Sequence, residues 1–381
     1  MTADPEPLTL GALNRALLAR QGLLERIDAP LVDGVEAIGA LQAQEWKAPP
    51  AALCARMESF TVEGLYQAMG RGELVIGTLV RATLHLLSAR EHPAYAAAVA
   101  AAGSDDWRRT KHEPSPELGE LRAELLAHLR VTPRSGEEIA AFMEAWIGRH
   151  PGAMHAQELA RHRSLSWRPF LTSSSLVRAP ADGRWGSRTP ALLRAAPSPA
   201  DAPTGEAALE EVIRRHLRAF GPAAPDDVAS WIGWRTPPVR SALERLAPQL
   251  EEFSDEGGRR LYDLPGSPRP DPETPAPPRL LGGFDSVLLA YATKHRARII
   301  SEADRQAVYE RGNLRIRPSF LIDGFVAGTW SLQVRRGEAI LTLQALRPIA
   351  RPASAALIEE TERVATVLAP GARAHSVAFT R

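Results

Sequence analysis

Cysteine is almost missing from this chain. Cys54 is the only one in 381 residues, so no internal disulfide and no multi-thiolate zinc site can form, and a reducing compartment is the natural setting. We read Cys54 as a core residue. Lysine is nearly as scarce, confined to Lys47, Lys111 and Lys294. Almost all positive charge is therefore guanidinium, which forks onto phosphate or stacks on a base. No apolar run approaches the ~18 residues of a membrane helix. Residues 1–5 also lack the charged and apolar regions of a secretory signal, so a cytoplasmic protein without membrane contact is expected. His-Glu-x-x-His, Cys-x-x-Cys, P-loop, dinucleotide and Gly-x-Ser-x-Gly patterns are all missing, and we expect neither a metal nor a nucleotide cofactor.

What is present is unevenly placed charge. The formal net charge of +1 neither demands nor excludes a polyanionic partner, because phosphate binding depends on where the charges lie. Residues 149–194 hold eight arginines against only Glu158 and Asp182 as acids. A second basic stretch runs over 294–317. A GC-rich coding bias accounts for most of the arginine but not for its clustering.

Two proline-rich stretches, 195–205 and 265–279, punctuate the chain, the second with seven prolines and hence the character of an extended linker. Between them, Leu209, Val212, Ile213, Leu217 and Phe220 have helical spacing. Asp226 and Asp227 open a second helix through Ile232, and Thr236 is a natural N-cap before Pro237-Pro238. Extended runs at 250–253 and 259–264 around a Gly-rich turn complete a hairpin. Three helices and a two-stranded wing are the order of a winged helix. The same order recurs at 118–129, after Ser135 with Glu138 (a capping box), at 156–162, and in a wing over 174–179 and 184–187. At the N-terminus, 10–19, 33–42 and 62–69 predict three helices, with Asp33 and Glu36 again spaced as a capping box, before the apolar segment 75–87. After residue 279 the texture is β, with runs at 319–322, 325–334 and 338–346, an Asp323-Gly324 hairpin turn and a final helix over 353–368. The expected fold is α+β: three tandem winged-helix units (1–115, 116–200, 201–266), then the linker and a small C-terminal β-barrel or sheet domain (267–381).

Several segments together resemble one family. They are Leu41-Gln42-Ala43-Gln44, Gly77-Thr78-Leu79-Val80-Arg81-Ala82-Thr83-Leu84-His85-Leu86, and Gly312-Asn313-Leu314-Arg315-Ile316-Arg317-Pro318 continuing to Asp323-Gly324 and Gly328-Thr329-Trp330. Their order and separation are similar to the winged-helix interstrand-crosslink DNA glycosylases, AlkZ-like and YcaQ-like. The resemblance implies winged-helix units and a barrel around a DNA-sized concave face. It also implies a catalytic Gln-apolar-Gln motif at Gln42 and Gln44. Gln at the second position, where some members carry Asp, places the chain nearer the AlkZ side.

The chemistry implied is cleavage of bulky N7-alkylguanine from duplex DNA, including crosslinks made by natural-product alkylators, in repair or self-resistance. Alkylation at N7 gives guanine a positive charge, so the base departs neutral and no general acid is needed. The remaining task is to hold a water beside C1′ and stabilise a cationic sugar. A Gln carbonyl can accept from that water while its amide is anchored elsewhere. Taken alone, glutamines near a helix end are ordinarily solvated surface groups, and only the resemblance outweighs that reading.

For DNA binding we single out Arg81 for phosphate contact and His85 for either the lesion or the core. The Arg311, Asn313, Arg315 and Arg317 segment is expected to grip the backbone. Lys47 could form a Schiff base, but a lone lysine beside Pro49-Pro50 is ordinarily solvated, so a monofunctional hydrolase is expected. Trp46 could stack on a base, though a core tryptophan is the commoner case. The partner expected is duplex DNA with alkylated guanine or crosslinks, bound by a monomer. The rival class is a non-catalytic winged-helix DNA-binding regulator.

Overall fold

The computed structural model describes residues 7–103, 117–182, 185, 191–310, 312 and 315–380. It is a mixed α+β protein that divides into two compact units, one of Met1–Ala68 with Val212–Arg381, the other Met69–Glu211.

In the first unit, helix Leu10–Arg20 starts at Thr9, whose side chain accepts from the Ala12 amide. Helix Leu31–Ile38 follows, shorter than the expected 33–42. Its N-cap is Pro30 with no side-chain cap bond, so Asp33 sits inside the first turn and does not open a capping box. Gly39 ends the helix at φ 82°, a left-handed value that favours glycine. The chain turns there into the two-residue strand Leu41–Gln42. Helix Ala48–Arg56, unforeseen from the sequence, has its two prolines in the first turn, where no amide donor is required. Cys54 lies fully buried on it, and desolvation pushes its thiol up to about 11. The core expectation holds.

Further along the chain, helix Gly205–Phe220, which enters this unit at Val212, and helices Pro225–Ile232 and Thr236–Leu246 are followed by the antiparallel hairpin Glu251–Ser254 and Arg260–Asp263. Arg235, not Thr236, is the N-cap of the third helix. A five-stranded sheet then runs in the order Ala374–Thr380, Glu338–Ala345, Phe325–Arg335, Ser319–Ile322, Arg279–Leu281. The turn predicted at Asp323-Gly324 has φ 45° and 79°, both positive as a type I′ hairpin requires. The final strand pairs in parallel through the crossover helix Arg351–Leu368. Among the described residues this sheet is open. Of the two forms expected for this region, barrel or sheet, the protein has the sheet. Helix Arg351–Leu368 is tied to the Ala48–Arg56 helix by Arg363, whose Nη1 donates to the Cys54 carbonyl at 2.8 Å.

The second unit joins an antiparallel sheet, with strands in the order Leu84–Ser88, Leu74–Thr78, Leu176–Ala179 and Leu192–Ala195, to helices His92–Ala101, Glu117–Val131, Gly136–Arg149 and Ala156–Ser164. The apolar segment expected at 75–87 is its hairpin, with Gly77 opposite His85. The Ser135–Glu138 capping box forms with both bonds present. Leu121, Leu125, Ile139, Met143, Trp146 and Phe170 fill the core. The second strand of the predicted wing lies at Leu192–Ala195, while residues 184, 186 and 187 of the expected strand fall outside the described residues. Neighbouring helices change the meaning of the arginine cluster. Arg163 pairs with Glu144 at 2.7 Å and Arg149 with Glu124 at 3.8 Å, both acids lying before the stretch whose count looked so one-sided. Arg161 pairs with Glu158 at 3.2 Å.

Candidate active site

The segment leading to Gln42 is held from below by buried polar groups. Gln21, fully buried, donates through Nε2 to the carbonyls of Ile38 and Ala219, each at 2.9 Å. Its Oε1 accepts from Arg56 Nε at 3.1 Å. Arg56 in turn grips Asp285 with two bonds of 2.6 and 3.0 Å, both side chains 0% exposed. The hydroxyl of Ser286 donates to the Ala40 carbonyl at 3.1 Å. The carbonyls of Ile38 and Ala40, between helix and strand, thus both find a donor. None of Gln21, Arg56, Asp285 or Ser286 stood out in the sequence. Their only local signal is polarity inside otherwise apolar runs.

On that base the two glutamines touch. Gln42, 7% exposed, donates Nε2 to Gln44 Oε1 at 2.8 Å, while Gln44 itself is exposed. The Gln42 carbonyl oxygen Oε1 is buried and accepts no hydrogen bond. Leaving a buried acceptor unmet costs roughly 1–3 kcal/mol, so such an atom asks for an explanation. Residues two apart in extended backbone point the same way, and the strand position of Gln42, in place of the expected helix end, lets both amides meet.

The neighbours of the pair are also ordered. Glu45 Oε1 receives Arg315 Nη2 at 2.8 Å and Nε at 3.0 Å, with Arg315 53% exposed. Arg317 donates Nη1 to the Ala307 carbonyl at 3.3 Å and lies 3.8 Å from Glu310. Both arginines are therefore engaged within the fold and are not bare cations. Arg311 and Asn313 lie outside the described residues. The earlier part of the same basic stretch is structural too, since Arg298 is buried over the Tyr291 ring at 4.0 Å and Lys294 pairs with Asp226 at 3.2 Å. Trp46 stacks on Tyr66 with centroids 5.7 Å apart and donates Nε1 to its hydroxyl at 3.2 Å. Lys47 is exposed at the N-cap of helix Ala48–Arg56.

Arg81 and His85 belong to the second unit. Arg81 sits at the tip of the 74–88 hairpin, where it and Ala82 both adopt φ 55°. Two consecutive non-glycine residues in this region store roughly 1–3 kcal/mol each. His85 is 1% exposed and its Nδ1 lies 3.0 Å from the Thr83 carbonyl. Burial, and secondarily the Arg81 charge, pushes its imidazole down to about 3, so the ring is neutral and donates to that carbonyl. Buried in this way, His85 braces the loop that carries Arg81.

Asp226, Asp227 and His295 form a group of metal-ligating type. Its buried carboxylate, Asp227, already accepts from the amides of Ala292 at 3.0 Å and Ala224 at 3.2 Å and faces His295 Nδ1 at 2.7 Å. With Lys294 neutralising Asp226, this donor set is occupied by the protein itself. No described helix is long and apolar enough to cross a membrane.

Comparison with known proteins agrees with this architecture. A family model described as "DNA glycosylase AlkZ-like" matches residues 35–367. The solved structure of Streptomyces sahachiroi DNA glycosylase AlkZ superposes with a TM-score of 0.78, covering 98% of this chain and 100% of that one at 23% sequence identity. No curated protein sequence matches significantly. Since the family match spans nearly the whole chain, the chain belongs to the AlkZ-like DNA glycosylase family.

Proposed function

We propose that the protein hydrolyses the N-glycosidic bond of bulky N7-alkylguanine in duplex DNA, including guanine tied into an interstrand crosslink, as a monofunctional, metal-independent glycosylase. The observation that carries this reading is the buried, unpaired Gln42 Oε1 beside a Gln42 amide fixed on Gln44. An acceptor held in place without its own donor is suited to a water O–H. In the reaction the C1′–N9 bond breaks and its electron pair neutralises the positively charged purine. The water oxygen bonds to C1′, and the surplus proton passes to solvent, because a neutral amide does not take it up at ordinary pH. Partial negative charge on the two amide oxygens favours the cationic sugar over the neutral ground state. A site lacking a strong base and a strong acid spares unmodified bases, whose departure needs protonation.

The reading extends to three tandem winged-helix units with boundaries at 1–115, 116–200 and 201–266 before the C-terminal domain, acting as a cytoplasmic monomer. Arg81 at its strained hairpin tip and the 311–317 segment are the proposed backbone contacts. Binding should then show little sequence preference and fall steeply with salt, as counterion release requires.

The deciding experiment incubates the protein with methylated duplex DNA and with duplex crosslinked by a natural-product alkylator. Release of free 7-methylguanine, alkali-labile abasic sites and unhooked strands, all undiminished by chelator, is expected. DNA binding without base release would make the chain a regulator, and a protein–DNA adduct trapped by borohydride would assign lyase chemistry to Lys47 or another amine.

A further inference from the structure

The unit Met69–Glu211 encloses a cavity of about 240 Å³ that is separate from the glutamine pair in sequence and plays no part in the chemistry above. It is walled by helices His92–Ala101 and Glu117–Val131, by the turn before strand Leu176–Ala179, and by the 195–204 segment. The floor is apolar, built from Ala96, Ala97, Leu126, Pro197 and Pro203. Arg122 and Arg130 also line it, and no acidic residue does among the described residues. Arg122 Nη2 donates to the Ser175 hydroxyl, which orients the guanidinium. Arg130 is exposed, and no hydrogen bond or ion pair to it is formed among the described residues.

His92 is the unusual member of the wall. It is fully buried, and neither ring nitrogen has a hydrogen-bond partner. Burial alone pushes the ring down to about 4, so at neutral pH it offers one donor and one acceptor. The ring is sealed behind the wall with Nε2 beside Gly77, so the groups the cleft itself offers are the two arginines, and a concave site lined by cations is where small anionic ligands are expected. Arginine is also the side chain whose geometry suits phosphate.

We propose that this cavity binds an organic phosphate ester. The phosphate lies between Arg122 and Arg130, and the attached apolar body rests on Ala96 and Pro197. The same chemistry has two possible sources, a free small phosphate ester or a nucleotide unit of the bound DNA strand.

Phenyl phosphate is the probe, titrated calorimetrically into the full-length protein at low salt. Saturable one-site binding is expected, at least tenfold tighter than inorganic phosphate or phenol. Arg130→Ala, at an exposed position, should weaken it about tenfold, the loss of one charge-assisted contact, and Arg122→Met with Arg130→Ala should abolish it. No saturable binding, equal binding of inorganic phosphate, or undiminished binding by the folded Arg130→Ala variant overturns the proposal. Displacement of phenyl phosphate by unmodified duplex DNA assigns the site to a strand phosphate, whereas retention in saturating duplex assigns it to a free ester.

Discussion

The segment 40–45 has two sides that differ in nearly every physical respect. Beneath it lie Gln21, Arg56, Asp285 and Ser286, dry and completely hydrogen-bonded into the backbone. Above it lie the exposed Gln44 and Arg315 and the half-buried Glu45, linked by contacts that water can replace. Gln42 stands at the boundary, its amide facing the wet side and its carbonyl oxygen buried without a donor. On the proposed function, a rigid underside fixes where that oxygen points and a looser rim leaves room for lesions of different bulk. Catalysis by positioning needs the first, and tolerance of substrate size needs the second.

If that contrast is right, acid should break the buried side of the molecule first. Burial lowers His85 to about 3 and His92 and His216 to about 4 from the ordinary 6.5. Below pH 6.5 the unfolded chain takes up these protons and the folded one does not, so the stability present above 6.5 is lost as pH falls toward 4. The slope is about 1.4 kcal/mol per pH unit for each ring. Melting temperature should therefore drop steeply between about pH 6 and 4, and a flat profile there would refute the neutral, buried histidines.

Next in size is the ion pair under the site. Arg56→Met or Asp285→Asn strands a buried partner and should cost about 3–5 kcal/mol in urea denaturation. A loss below about 1 kcal/mol would mean the underside is not a rigid base. Local signals in the sequence reached only part of this. Ser135 with Glu138 and Asp323-Gly324 were legible because a cap or a turn is encoded within four residues. The hairpin at 251–263 and the helix Gly205–Phe220 were legible by periodicity. Helix Ala48–Arg56 was hidden by its two leading prolines, and strand Ala374–Thr380 by its exposure on the edge of the sheet. The positions of Gln42 and Gln44 came from resemblance. What holds them could not be read at all, since Ser286 and Ala40 are 246 residues apart.

On the rim, Gln44→Ala removes the group that fixes the Gln42 amide and should slow single-turnover base release on the order of 10²-fold. Gln44→Asp keeps an acceptor for that amide and should retain substantial activity with a changed lesion preference; loss as deep as in the Ala variant would show that charge there is harmful. Smallest of all should be Glu45→Ala, which breaks an exposed pair worth about 1 kcal/mol or less. It should leave stability nearly unchanged while removing the Glu45 partner of Arg315. Arg315→Ala should weaken binding to all duplexes alike and lower the salt slope by about one. Sequence-dependent weakening would remove Arg315 from the backbone contacts.

The most direct test is single-turnover release of 7-methylguanine by Gln42→Ala, with duplex affinity and unfolding free energy measured on the same preparation. Base release should fall by a factor on the order of 10² to 10³, the loss typical of one preorganised polar group, while affinity stays near that of the unaltered protein because the proposed backbone contacts, Arg81 and the 311–317 segment, are untouched. Release at the unaltered rate by a folded, DNA-binding Gln42→Ala protein would contradict the assignment of the buried Gln42 oxygen as the group that holds the water.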